Sequence, residues 1–329
     1  MILTFTPNPS VDTTLTLSEP LAPGSVHRLT DITRVAGGKG VNVAHAAHLA
    51  GHPTLALFPA SSRDPFVELA TQAAIPFQAI EMDERVRTNT TVTQPDGTTT
   101  KLNGPGPQIS EELREELTRE LVAAAQREGA QWISLSGSLP PGVPVGWYGD
   151  LVATLRTAVP HARIAVDTSD AAMIALGESF QHSTPHLIKP NGLELGQLVG
   201  TDGEQLEAQA EQGNFGPTVE AARTIVTQGV ESVLVTLGGA GAILVTGEGA
   251  WKATPPPISV VSTVGAGDSS LAGYMLADAE GTTPAECLRR AVAYGSAAAS
   301  LPGTTLPRPD QVNIADTHVT AIEPTAESL

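Results

Sequence analysis

Cysteine is almost missing from this chain. Cys287 is the only one in 329 residues, which excludes an internal disulfide and fits a reducing compartment. Positive charge is scarce too: Lys and Arg total 18 against 35 Asp and Glu, a net charge of −17. No basic surplus exists to neutralise nucleic-acid phosphates, so a general nucleic-acid binder is excluded. Each basic residue inside a polar or Gly-rich motif therefore carries more information than usual. Aromatics make up only 4%, so the core of a 41% hydrophobic chain must be built from Val, Ile, Leu and Ala. No apolar run approaches the length needed to span a bilayer, and no membrane partner is expected. Met1 to Pro7 has no basic region and too short an apolar run for a secretory leader. A soluble cytoplasmic protein is the expectation.

What is present is a repeating strand and helix pattern. Met1 to Thr6 reads as a buried strand ended by Pro7-Asn8-Pro9. Residues 11–17 and 25–35 alternate apolar with Thr and Asp, as half-exposed strands do. Residues 87–93 and 98–103 flank Pro95-Asp96-Gly97, a hairpin turn. These Thr-rich strands suit a small separate sheet. From Gln108 onward strands alternate with helices: Ser110 caps a helix carrying Leu113, Leu117 and Leu121, and Thr283 with Pro284 opens another. Residues 200–216 read as an acidic surface insertion, and the tail after Leu301 shows no dense core pattern. This order predicts an α/β fold with a mostly parallel sheet covered on both faces, its ligands beyond the C-terminal strand ends. Cys287, in an alanine-rich helix, reads as a small core residue.

Ser262-Thr-Val-Gly-Ala-Gly-Asp-Ser-Ser270 stands between a β-branched run and an apolar helical pattern. Gly265, Ala266 and Gly267 can turn their N–H groups onto one spot at a helix start, where an anion is welcome. Asp268 adds a carboxylate there. A base beside an anion hole is one reading; a helix-capping turn with a first-turn acid is the other. Ala36-Gly-Gly-Lys-Gly-Val-Asn42 places Lys39 and Asn42 in a helix's first turn, although the spacing is not that of a P-loop. Asn191-Gly-Leu-Glu194 follows a strand end; its carboxylate can act on Mg²⁺, directly or through water, or simply cap a helix. Thr236-Leu-Gly-Gly-Ala-Gly241 suits close approach of a nucleotide, or a plain hairpin turn. Asp12, in a polar strand, can bind sugar hydroxyls. Arg28 and Arg87 fall on the small sheet, and one of them is expected to meet a phosphate. His45, His48 and His52 form no His-Glu-x-x-His motif, and no Gly-x-Ser-x-Gly nucleophile elbow occurs.

Taken together, the Gly-Gly-Lys-Gly and Gly-Ala-Gly-Asp signatures, with Asn-x-x-Glu between them, resemble the ribokinase-like carbohydrate kinases of the phosphofructokinase B type. The resemblance runs from about residue 1 to about residue 310. Thr6-Pro-Asn-Pro-Ser-Val-Asp12, Arg87-Thr-Asn89, Leu102-Asn-Gly-Pro-Gly-Pro107 and Ser136-Gly-Ser-Leu-Pro-Pro-Gly142 are similar to the branch of 1-phosphofructokinases and tagatose-6-phosphate kinases. Ser262 departs from the Asp that many members carry there.

The resemblance implies a three-layer α/β/α domain over residues 1–329, with lid strands from about 11–35 and 86–103. It implies MgATP as donor and a phosphosugar as acceptor, with fructose 1-phosphate first and tagatose 6-phosphate or fructose 6-phosphate as alternatives. A sugar-phosphate-binding regulator and an uncharged-sugar or nucleoside kinase are rival readings; the intact Asp268 and Lys39 speak against them. Asp268 matches the catalytic base, and Gly265, Ala266 and Gly267 the anion hole. Asp12, Gly38 and Asn42 match sugar contacts, while Lys39, Arg28, Arg87 and Ser138 are assigned to the substrate's phosphate. Lys189, Asn191, Thr236, Gly238 and Gly241 fall on the nucleotide side, and Glu194 acts on Mg²⁺ through water. A homodimer pairing its lid sheets is expected.

Overall fold

The computed structural model describes residues 1–323, and the last six positions of the tail lie outside the described residues. The buried run Ile2–Phe5 (β1) starts the chain. Ser10–Leu17 (β2) and Leu29–Gly37 (β3) follow, then Lys39–Leu49 (α1), Thr54–Pro59 (β4), Pro65–Gln72 (α2) and Phe77–Ile80 (β5). Arg87–Thr93 (β6) and Thr99–Asn103 (β7) form the hairpin, and Glu111–Arg127 (α3) leads to Trp132–Ser136 (β8). Trp147–Ala158 (α4), Arg163–Asp167 (β9), Asp170–Ser179 (α5) and Leu187–Ile188 (β10) come next. Three helices follow, Gly192–Val199 (α6), Gly203–Glu211 (α7) and Gly216–Thr227 (α8). Ser232–Thr236 (β11), Ala242–Thr246 (β12) and Gly249–Thr254 (β13) precede Ala266–Ala279 (α9), Pro284–Ala299 (α10) and His318–Ala321 (β14).

Ten strands form one sheet in the order β14-β13-β12-β11-β10-β9-β8-β1-β4-β5. From β11 to β5 all neighbours are parallel, and β12, β13 and β14 add an antiparallel edge. The chain winds outward from β1 through β4 to β5, then returns to the other side of β1 at β8. The crevice between β1 and β8 is therefore the switch point where open α/β sheets bind ligands. Residues 6–9 and 137–142 leave the sheet there. Four strands form a second sheet in the order β3-β2-β6-β7, with β2 and β6 parallel and in register from Ser10↔Arg87 to Thr16↔Thr93.

Local chemistry explains the element starts. Ser110 accepts from the N–H of Leu113 (3.2 Å) and Thr283 from that of Glu286 (3.3 Å). Asp64 caps α2 through Phe66 and also takes the N–H of Val86 (3.0 Å), tying the start of β6 to the core. Cys287 is buried in α10, as a small core residue should be.

Two sequence readings are corrected, and two elements are added. Residues 200–216 are not a surface insertion: α7 is capped by Asp202 and buries Leu206 and Ala210. Its helical stripe is short because α6 and α7 meet backbone to backbone; a Cβ on Gly203 would lie 2.5 Å from Leu193 Cα. Helix α5 lies in a stretch for which the sequence reading gave no element. The tail contributes β14, a largely exposed strand with no alternating signal. The strand expected from Ser25 begins only at Leu29, and the residues before it form a loop.

Candidate active site

Helix α1 begins against the C-terminal end of β1 because two glycines let it. A Cβ on Gly38 (φ +120°) would lie 2.9 Å from Thr6 Cγ2, and one on Gly40 would overlap the Thr6 hydroxyl. Helix α9 covers the other side of α1, so this helix is enclosed nearly all round. Burial, with His48 beside it, pushes His45 down to about 4. The first intrahelical bond runs from the Asn42 N–H to Gly38 O (2.9 Å), so the N–H groups of Lys39, Gly40 and Val41 open onto the crevice end of the sheet.

Lys39 does not extend into solvent. Its Nζ donates to Asp167 Oδ1 at 2.7 Å, and Lys189 Nζ lies 3.0 Å from Asp167 Oδ2. Asp167 ends β9 and has no exposed surface. Burial opposes its charge, but the two ammonium groups outweigh this and hold the carboxyl below its ordinary range. Burial likewise opposes the charge on Lys39; the carboxylates of Asp167, Asp268 and Glu194 prevail and raise it above the usual lysine range. The sequence reading placed Lys189 with the nucleotide and did not single out Asp167. Its only sequence signal is an acid at the C-terminal end of a parallel strand.

Helix α9 starts at Gly265, which takes the left-handed conformation (φ +78°). The Ser262 hydroxyl secures the turn, donating to Gly303 O (2.8 Å) and accepting from the Val264 N–H (3.3 Å). At this position, then, a serine ties the turn down. A Cβ on Gly267 would come 3.2 Å from Lys189 Nζ, so the first turn of α9 and this ammonium share one spot. Asp268 is 7% exposed and accepts from Asn42 Nδ2 at 2.8 Å. Burial, then the charge of Asp167, push its carboxyl up to about 6; Lys39, the Asn42 hydrogen bond and Lys189 act in the opposite direction.

The second sheet brings Asp12 to the same end. Its Oδ1 accepts from Ser10 Oγ (2.7 Å) and Asn89 Nδ2 (3.2 Å), and any side chain on Gly37 would collide with it. Burial raises its carboxyl above the usual range. Arg87 donates to Gly104 O at 3.1 Å. Burial depresses its guanidinium, with Asp12 partly compensating. Asn8 Nδ2 reaches Pro105 O (3.1 Å) and Ser138 Oγ (3.3 Å), joining three loops. The loop of Ser138 is fixed by Gly137 O, which accepts from Tyr148 (2.8 Å) and Thr168 (2.9 Å). Arg28 stands apart. It is exposed and precedes Leu29, at the end of β3 opposite Gly37. Asn8 and Asn89 join the site beyond the residues assigned from the sequence, where they stand only inside the Thr6–Asp12 and Arg87–Asn89 motifs.

On the far side of α9 lies a cavity of about 560 Å³. Thr236, Gly238 and Gly241 line it opposite Ala266 and Gly267, and Pro255 to Pro257 form its rim. Gly241 (φ +95°) packs so tightly that a Cβ would overlap Ala253 O. A hollow of about 370 Å³ beside Arg114 and Arg119 on α3 holds none of the motif residues. Asn191 and Glu194 form a reciprocal capping box: the Glu194 N–H donates to Asn191 Oδ1, and the Asn191 N–H to Glu194 Oε2, each at 2.8 Å. The capping reading of this motif is therefore present, and a metal role has to coexist with it. Among the described residues no group of three or more His, Cys, Asp or Glu could hold a metal ion. One partly buried carboxylate, raised chiefly by burial and with only one oxygen engaged, fits Mg²⁺ held through water and donor phosphates.

The chain is 36% identical to the 1-phosphofructokinase of Haloferax volcanii, with 97% of each chain covered. It is 33% identical to the ATP-dependent 6-phosphofructokinase isozyme 2 of Escherichia coli, covering 93% of this chain and 94% of that one. The crystal structure of phosphofructokinase-2 from Escherichia coli in complex with substrates and products superposes with a TM-score of 0.81 at 30% identity. That match covers 94% of this chain and 96% of the other. The family described as pfkB family carbohydrate kinase matches residues 6–311, the span that holds every residue placed above around the crevice. The chain belongs to the pfkB family of carbohydrate kinases.

Proposed function

We propose that this protein transfers the γ-phosphoryl group of MgATP to the C6 hydroxyl of fructose 1-phosphate. The products are fructose 1,6-bisphosphate and ADP. The observation that carries this reading is the placing of Asp268: a buried carboxylate raised to about 6, at the head of α9, between Lys39 and the glycine-lined cavity. Asp268 accepts the C6 hydroxyl proton. The C6 oxygen bonds to the γ-phosphorus as the bond from that phosphorus to the ADP oxygen breaks. The N–H groups of Gly265, Ala266 and Gly267, with Lys189, neutralise the transferring group. Asn42 holds the base, and Asp12 with Gly38 orients the sugar. Lys39, Arg87 and Ser138 receive the phosphate already on C1. Thr236, Gly238, Gly241 and Asn191 serve the nucleotide. Mg²⁺, when bound, would neutralise the donor phosphates, and Glu194 would hold it through water.

A second reading, a kinase for fructose 6-phosphate, is favoured by the likeness to the Escherichia coli isozyme 2. The test is to incubate the protein with MgATP and fructose 1-phosphate and to identify the product by ³¹P NMR. A second phosphomonoester at C6, formed one-for-one with ADP, is expected. No ADP formation with any ketohexose phosphate, while one still binds, would leave a sugar-phosphate-binding regulator.

The reading treats the whole chain as one cytoplasmic kinase unit with the second sheet as its lid. We place the substrates' few cationic contacts in the crevice of this otherwise acidic chain. The lid leaves Val26, Ile32 and Leu102 exposed, which supports a homodimer through that sheet. Sedimentation of only monomer at assay concentration would contradict the dimer.

A further inference from the structure

We infer that Asp167 is a positioning residue for phosphoryl transfer, holding Lys39 and Lys189 on either side of the reacting centre. The inference rests on the kinase reading above. Asp167 is fully enclosed, so it acts through its neighbours and not on a substrate. It collects three parts of the fold: Lys39 from the first turn of α1, Lys189 from just after β10, and its own strand β9. Lys189 lies against Gly267 in the first turn of α9. Lys39 is three residues from Asn42, the group that bonds to Asp268.

The chain has only four lysines, against fourteen arginines, and two of them meet on this one carboxylate. An ammonium has three donors, so each can hold Asp167 and still offer N–H groups to a phosphate. The Lys39 side chain is one-third exposed, which leaves that face available, whereas Lys189 is almost enclosed. Enclosed ion pairs seldom repay their desolvation in stability, so this one is better explained by the placement it enforces.

Asp167 also bears on the base. The charged groups acting on Asp268 are Asp167 from β9, Lys39 from α1 and Lys189 after β10, with Glu194 of α6 acting on Lys39 and Asp167. Of the three that act on Asp268 directly, Asp167 alone favours its protonated form and so makes it the stronger base.

The test compares the full-length wild type with D167N and D167E in kcat, KM and pH profile, with calorimetric binding of fructose 1-phosphate. D167N is expected to lose kcat by roughly 10–10²-fold, the scale of a small misplacement of reacting groups. Its acid limb should move to lower pH, a shift a merely structural role would not produce, and fructose 1-phosphate binding should weaken as Lys39 loses its partner. Wild-type kcat with an unmoved limb in D167N would overturn the inference. If D167N does not fold, D167E decides: it keeps the charge, so its limb should stay in place while kcat falls. Wild-type kcat in D167E would equally overturn the inference. Wild-type turnover in the same series separates the two readings. Its absence removes the kinase assignment itself, whereas normal turnover with an unaffected D167N removes only the role of Asp167.

Discussion

Asn42 Nδ2 lies 2.8 Å from Asp268 Oδ2 and joins two helix first turns 226 positions apart. The bond links the two signature motifs, one on each side of the crevice. It orients the carboxylate without neutralising it. Removing the carboxylate's basicity is therefore expected to leave the architecture in place. Asp268→Asn should lower kcat by roughly 10²–10⁴, the contribution of a positioned general base. Steady-state turnover checks this, and near-normal turnover would put the base elsewhere.

The raised carboxyl gives a pH dependence with a definite sign. Asp268 must be ionised to accept a proton, so kcat/KM should fall as pH drops below about 6. The folding term runs the other way. The native state holds this proton more tightly than the unfolded chain, whose ordinary value is 3.8, so Asp268 costs stability as pH rises through about 4 to 6. Asp268→Asn should therefore raise Tm at pH 8 and not at pH 4. Thermal denaturation at both values decides, and an equal shift at both would contradict the burial argument.

Lys39, assigned under the proposed reading to the phosphate on the sugar, is expected to separate the two substrates. Lys39→Ala should raise KM for the phosphosugar far more than KM for ATP, since the residue stands on α1 and not on the cavity of α9. Separate saturation curves check this. An unchanged sugar KM would refute the role.

Gly241 tests the nucleotide wall. Gly241→Ala forces a side chain into a left-handed conformation and onto Ala253 O. A stability loss of at least ~1–2 kcal/mol is expected from the conformation alone. KM for ATP should rise while KM for the phosphosugar holds. Denaturant titration with paired KM measurements checks both.

Motifs whose chemistry lies in the backbone were readable directly. Gly37, Gly38, Gly40 and Gly265 announce themselves because a side chain at any of them would clash or be held at a positive φ. The parallel sheet followed from the strand and helix alternation, and the small sheet from threonine-rich strands. Asp167 was not readable, because one acid at a strand end looks the same whether it faces water or two lysines. Asn8 was hidden for a related reason: its partners, Pro105 and Ser138, are about a hundred or more positions away. Helix α7 escaped because Gly196 and Gly203 replace side-chain contacts with backbone ones, and β14 because an exposed edge strand needs no alternation. Sequence patterns report burial along one element; they do not report which distant charge meets another.

Under the proposed function the crevice takes a ketohexose phosphorylated at C1 and phosphorylates C6. The most direct measurement is kcat/KM with MgATP for fructose 1-phosphate, fructose 6-phosphate and tagatose 6-phosphate, taken on one preparation. Fructose 1-phosphate is expected to have the highest value, by about tenfold or more, the usual scale when a charged contact is correctly placed for only one substrate. A higher kcat/KM for either 6-phosphate would contradict the assignment.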